Sequence, residues 1–372
     1  MKIFTLFINL TGTVSIAYAA LAYRGVDWSS VAVEEAASVV YKSATTNQPA
    51  PLESILAASG VNMVRQRLWV NPKPDNGAYN LDYNLKLARR ARAAGLAVYL
   101  DLHYSDTWAD PGHQSIPAGW PKTLDGLTTQ LFNYTRDVCN AFADDAQASS
   151  SSSNGTTPPP LSIISIGNEI TNGLLWPVGS TKSYGNIAAL LHAASGGVKA
   201  SKLANCCGGP PPKIMVHLDN GWSWSAQNTF YSKVLASGSP FLQSDFDMMG
   251  VSYYPFYNAG ATLASLRSSL QNMAAAWGKE LVVAETDWPT SCPQPKYSFP
   301  ADARSIPFTV AGQTSWIKAV ADVVSGVKGG SGLFYWEPAW IHNAGLGSSC
   351  ADNLMVSQSG QALSSLAVFS TI

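Results

Sequence analysis

Charge is scarce in this chain. Asp, Glu, Lys and Arg make up 13% of its 372 residues, and the formal net charge is −1. So weak a field excludes electrostatic steering toward a polyanion, so neither nucleic acid nor a membrane surface is an expected partner. Cysteine is scarce as well. There are five, and none forms a CxxC with a second CxxC or an HxH partner, which excludes a zinc site of the usual spacing. No HExxH occurs, and no Ser or Cys sits in a nucleophile motif, which removes the metalloproteases and the common acyl-transfer enzymes. No internal apolar run is long enough to cross a bilayer.

Aromatic and apolar residues take up the difference. Hydrophobic residues make 46% of the chain, with 12 Trp and 15 Tyr, so a large core is available. Aromatics in this number among so few charges suit a surface that stacks on neutral polar rings, with core filling as the competing use.

The N-terminus reads as an export signal. Lys2 is followed by the short apolar run Ile3 to Leu10 and by a small-x-small site at Ala17–Tyr18–Ala19. Residues 1–19 are therefore expected to be a signal peptide, with a mature chain of residues 20–372 that is secreted, soluble and monomeric. Secretion favours disulfides, and an odd count leaves at least one thiol over. The sequons at Asn133 and Asn154 fit the same route as candidate glycosylation sites.

Eight β-rich runs recur along the chain, beginning near Tyr23, Val61, Leu96, Leu161, Lys213, Met248, Glu280 and Gly332. Amphipathic stretches separate them. In "NLDYNLKLARRARAAG", Leu81, Leu85, Ala88 and Ala91 recur at helical spacing and Gly95 provides a stop. Eight strand–helix units without a dividing linker predict an α/β fold, a single (β/α)8 barrel. Two inserts, residues 144–160 and 205–212, fall between a helix and the next strand. They are expected at the bottom of the barrel as tolerated extensions.

In this architecture the C-terminal strand ends carry the chemistry. The run "SIISIGNE" ends in Asn168 and Glu169, and "ELVVAETDW" carries Glu285 and Asp287. Strands four and seven face each other across a barrel, so Glu169 and Glu285 can flank one bond. Two such carboxyls break a glycosidic linkage without metal or cofactor, one protonating the leaving oxygen while the other attacks or activates water. Glu337, followed by Pro338, is expected instead to be a salt-bridged barrel residue.

The segments "YRGVDWSSV", "VRQRLWVNP", "DLHYSDTWADPGHQ", "SIGNEITNGLLWP", "HLDNGW", "DFDMMGVSYYPFY", "ETDWP" and "FYWEPAWI" together resemble glycoside hydrolase family 53. The resemblance runs from Ala20 to Ile372. It implies a retaining endo-β-1,4-galactanase acting on (arabino)galactan, with Glu169 as acid/base and Glu285 as nucleophile. The Ser-rich insert, Cys139 and the Cys206–Cys207 pair depart from the family pattern. A glucanase, mannanase or xylanase of the same clan, or a silent sugar-binding barrel, is the alternative.

The remaining site expectations follow from what such a reaction needs. Arg65 and Tyr254 aim Glu285 and keep it ionised. Asn168 binds a sugar 2-hydroxyl. His103 binds a sugar hydroxyl and not a metal. Asp106, Asp219 and Asn220 read hydroxyls, Trp336 and Trp340 stack on sugar faces, and Trp108 and Trp222 lengthen the groove. Cys292 and Cys350 lie in loops after adjacent strands and are expected to pair, as the resemblance also implies. Cys139 is either bridged to Cys206 or Cys207, or a buried free thiol.

Overall fold

The computed structural model describes residues 20–73, 78–149, 158–205 and 210–372. The eight runs form eight barrel strands: β1 (Tyr23–Asp27), β2 (Met63–Leu68), β3 (Ala97–Leu102), β4 (Ile163–Ser165), β5 (Lys213–Leu218), β6 (Met248–Ser252), β7 (Glu280–Thr286) and β8 (Gly330–Tyr335). Each pairs in parallel with its sequence neighbours, and β8 closes on β1 with Gly332 opposite Tyr23. The expected (β/α)8 barrel is therefore what the chain forms. A short antiparallel pair, Gly173–Leu174 with Gly179–Ser180, decorates the loop after β4.

Nine helices surround the strands among the described residues: α1 (Val31–Ala36), α2 (Leu52–Ala58), α3 (Leu81–Ala93), α4 (Leu124–Ser149), α5 (Tyr184–Lys199), α6 (Lys202–Asn205), α7 (Trp224–Val234), α8 (Leu263–Trp277) and α9 (Val310–Ser325). Their starts are written in the sequence. Asn80, Ser183, Ser223, Thr262 and Thr309 each accept a hydrogen bond from a backbone N–H of the first helical turn. Such a cap is worth about 1 kcal/mol. α3 buries Leu87, Ala88 and Ala91 and ends before Gly95, which takes φ +79°. An L side chain is strained there, so the stop belongs to glycine.

Side chains alternate across each strand. Met63, Tyr99, Ile163, Met215, Met248, Val282, Ala284 and Phe334 fill the barrel interior. Val64, Leu100, Ile164, Val216, Met249 and Val283 face outward and join the core shared with the helices. Farther along, the interior turns polar: Arg65, Asp101, Ser165 and His217 are all buried. That layer is the floor of the active face.

One irregularity matters for function. Val282 and Ala284 already point inward, so strict alternation would turn Glu285 outward. The register slips there. Val251 stands opposite Val283 but Ser252 opposite Glu285, and Leu333 opposite Val283 but Tyr335 opposite Thr286. Both neighbours therefore see one extra residue on β7. Such a bulge re-aims the side chain that follows it, and here it turns Glu285 into the barrel mouth.

Cys292 and Cys350 are bridged, as expected. Cys139 is a buried free thiol, and burial pushes it up to about 12. Cys206 and Cys207 lie outside the described residues, as do residues 1–19 and the sequon at Asn154. Asn133 sits half-buried on α4. The first part of the 144–160 insert is not loop but the end of α4, which runs on to Ser149. Among the described residues, no helix is long and apolar enough to cross a membrane.

Candidate active site

The C-terminal strand ends enclose a cleft of about 610 Å³. Glu169 and Glu285 both line it. β4 ends at Ser165. Gly167 then adopts φ +119°, Asn168 is buried, and Glu169 takes the left-handed region at φ +47° before a single 3-10 turn, Ile170–Asn172. A non-glycine residue there costs on the order of 1–3 kcal/mol, strain of a kind that collects at functional sites. At Gly167 an added Cβ would come within 2.8 Å of Ile170 Cγ2. The apolar strand thus ends in an amide and a carboxylate because a glycine-hinged reversal lifts them out of the barrel core.

Asn168 holds that reversal in place. Its Oδ1 accepts from Arg65 Nη2 at 2.8 Å, its Nδ2 donates to the Ala109 carbonyl at 2.7 Å, and its own carbonyl accepts from Gln114 at 2.8 Å. One lone pair and one N–H of the amide remain for a ligand.

The two carboxyls have unlike surroundings. Glu285 Oε1 lies 2.7 Å from Arg65 Nη2, and Oε2 accepts the Tyr254 hydroxyl at 2.7 Å. Burial raises its pKa above the ordinary carboxylate value, and Arg65 and Tyr254 offset only part of that rise. Glu169 is raised well above the ordinary carboxylate range by burial, by the charge of Glu285 and by Asp219, with the Ser252 hydroxyl as a weak counterweight. No cation is among the causes that act on it. The pair therefore carries its proton on Glu169 and its charge on Glu285. Behind Ser252 stands His217 Nε2 at 2.9 Å. Burial, aided by Arg65, lowers His217 to about 3, so it stays neutral.

The walls are aromatic. Trp108 packs edge-on against Trp336 at 5.9 Å and stacks on Trp340 at 6.1 Å, while Trp222 and Tyr257 line another part of the cleft. Of the residues expected here, Arg65, His103, Trp108, Asn168, Asp219, Asn220, Trp222, Tyr254, Trp336 and Trp340 all line the cleft. Asp106 does not, which corrects its expected place. Its carboxylate accepts from the Asn71 backbone and side chain at 3.0 Å and from Ala118 N at 2.7 Å, so it ties two loops together. His103 lines the cleft with both ring nitrogens engaged. Nδ1 accepts from Ala109 N at 3.0 Å and Trp69 Nε1 at 3.3 Å, and Nε2 faces Asp101 at 3.2 Å. It has no ring nitrogen over for a sugar hydroxyl. Glu337 is the ion-paired barrel residue expected, bound to Arg67.

Among the residues missed are Arg67, Asp110, Ser252, Tyr257, Asn258, Asn343 and Leu346, all bordering the cleft. Tyr257 stood in the run "YYPFY", where neighbouring aromatics gave no means of sorting the exposed ring from the buried ones. No group of His, Cys, Asp and Glu among the described residues has metal-site geometry.

Residues 23–369 match the model of Glycosyl hydrolase family 53. This chain belongs to that family. It is a glycoside hydrolase, and the cleft just described is where family membership and geometry meet. The arabinogalactan endo-β-1,4-galactanase of Humicola insolens is 62% identical over 353 residues, covering 95% of this chain and all of that one. A solved fungal β-1,4-galactanase superposes with a TM-score of 0.88 at 62% identity, covering 95% of this chain and 100% of its own. The GH53 catalytic domain of Ignisphaera aggregans does so with a TM-score of 0.77 at 28% identity, covering 94% and 95%.

Proposed function

We propose that the chain is a secreted, monomeric enzyme that hydrolyses β-1,4-galactosidic bonds within (arabino)galactan, with retention of anomeric configuration. The observation that carries the mechanism is the asymmetry of the two carboxyls. Glu285, fixed by Arg65 and Tyr254, attacks the anomeric carbon, and the bond to the leaving oxygen breaks. Glu169, protonated in the resting pair, gives that oxygen its proton. Glu169 then takes a proton from water, the water oxygen attacks the anomeric carbon, and Glu285 departs as carboxylate. Retention requires the two carboxyls about 5–5.5 Å apart, too close to admit the water of an inverting reaction.

The remaining groups serve the sugar. The free lone pair and N–H of Asn168 suit a 2-hydroxyl, a bond that strengthens as the oxocarbenium-like state develops. Asp219 and Asn220 offer polar edges, and Trp336 and Trp340 offer ring faces. His103 orients the wall through Ala109 and Trp69. The galactan substrate rests on the relatives' names, since a glucanase, mannanase or xylanase would need the same pair of carboxyls. Secretion rests on the N-terminal segment.

Reducing-end release from linear β-1,4-galactan, beside glucan, mannan and xylan, tests the substrate. Release from galactan is expected to dominate, and none at all would defeat the assignment. Proton NMR of the first product tests the mechanism. A β-anomer is expected, and an initial α-anomer would defeat retention.

A further inference from the structure

We propose that Arg67 is a positioning residue for the aromatic wall of the cleft: its guanidinium, set among four rings, fixes the attitude of Trp108 and Trp340 toward the sugar chain. The inference rests on the reading of the cleft as a polysaccharide groove. Arg67 belongs to β2 and borders the cleft, but it is only 1% exposed, so its main contacts are with the rings around it and not with the open groove. Its carbon Cζ lies 4.4 Å from the ring centre of Tyr79, 4.4 Å from Trp108, 5.1 Å from Trp340 and 6.0 Å from Trp69.

Four rings around one cation is a box, and only two of its walls face the cleft. Trp108 and Trp340 line the groove. Tyr79 and Trp69 close the box from behind as a small buried cluster of their own. The edges of the guanidinium are also held. It pairs with Glu337, and Nη2 donates to Ser30 Oγ at 2.8 Å. Glu337 in turn is fixed by Ser30 N at 3.0 Å. The plane of Arg67 is thus set by hydrogen bonds at its rim, and the rings take their orientation from its faces. Trp108 passes that orientation to Trp336, 5.9 Å away. A planar cation can do this and a point charge cannot, because an ammonium has no face on which to lay a ring.

Arg67→Lys keeps the charge beside Glu337 and removes the plane. KM for linear β-1,4-galactan is expected to rise about tenfold, with kcat falling much less. Both limbs of the pH profile of kcat/KM are expected to stay in place, and the near-UV circular dichroism of the tryptophans to change. A loss confined to kcat, or a displaced limb, would mean that Arg67 acts on the reacting carboxyls, and the inference would fall. An unchanged KM with unchanged dichroism would overturn it as well. Should Arg67→Lys not fold, Tyr79→Leu removes a ring from the back of the box, outside the cleft lining, together with the 3.2 Å contact of its hydroxyl to Ser30 Oγ, and keeps Arg67 and Glu337 themselves. The same rise in KM is expected, and an unaltered KM would refute the idea. If the wild-type chain leaves galactan intact, it is the functional reading that fails. The dichroism of Arg67→Lys then still decides the positioning role.

Discussion

Arg65 Nη2 stands 2.7 Å from Glu285 Oε1. The same guanidinium is 2.7 Å from Asp27 and 2.7 Å from Asp101. One cation therefore serves three buried carboxyls, and Glu285 receives only a share of its field. Asp101 takes the larger part: burial opposes its ionisation, but Arg65 and His103 outweigh that and hold it well below the usual range. The rest of the stabilisation of Glu285 has to come from elsewhere, and Tyr254 is placed to supply it.

Tyr254→Phe removes the 2.7 Å hydrogen bond to Glu285 Oε2 and leaves the ring. A donor to a carboxylate favours its ionised form, so its loss raises the pKa of Glu285. Attack requires the ionised form. The acid limb of kcat/KM is therefore expected to move to higher pH, and the basic limb, set by the proton on Glu169, to stay. A hydrogen bond to a charged group is worth about 1.5–3 kcal/mol, so activity on the acid side should fall about 10- to 100-fold. A pH profile whose acid limb stays put, or moves down, would contradict the role given to Tyr254.

The two glutamates should fail differently when removed. Glu285→Ala takes away the nucleophile, and turnover on every substrate is expected to vanish. Glu169→Ala takes away the proton donor. It should slow natural galactan strongly yet spare glycosylation by substrates with an activated leaving group, which need little protonation. Azide should then restore turnover where deglycosylation limits the rate. Steady-state and burst kinetics on an aryl glycoside check this, with a β-glycosyl azide expected from Glu169→Ala; a β-azide from Glu285→Ala and an α-azide from Glu169→Ala would exchange the roles.

Much of this site was legible in sequence because strands and polar strand ends have a period. The eight runs, the Asn168–Glu169 ending and the aromatic exits of β3 and β8 all follow from counting. Glu285 was found by its place at the end of a run, yet its direction was not readable. Val282 and Ala284 face inward, so parity alone sends Glu285 the wrong way, and a bulge visible only in the pairing register brings it back. The protein partners that engage Asp106 and His103 were unreadable for one physical reason. A polar side chain at the rim looks like a ligand group until its partners are counted. Those partners, Asn71, Ala118, Ala109 and Asp101, come from loops and strands whose meeting no local pattern announces. Arg67 was missed for the converse reason, since its neighbours Tyr79, Trp108 and Trp340 converge on it from three separate segments.

The Cys292–Cys350 bridge joins the loops after β7 and β8 across a sequence separation of 58. Ser291 and Asp352 form a backbone bridge beside it, and Lys296 N donates to Ser349 Oγ at 2.9 Å. The second loop carries Asn343, Leu346 and Gly347, which line the cleft. Closing a loop of that size limits the unfolded chain by about 4 kcal/mol in the entropy model, less any native strain. Replacing both cysteines by serine is therefore expected to lower the unfolding free energy by about 2–4 kcal/mol in a denaturant titration. The barrel strands do not depend on the bridge, so the fold should persist. The groove wall does depend on it, so KM for galactan should rise more than kcat falls. An unchanged KM would show that the hydrogen bonds between the loops hold the wall without the disulfide.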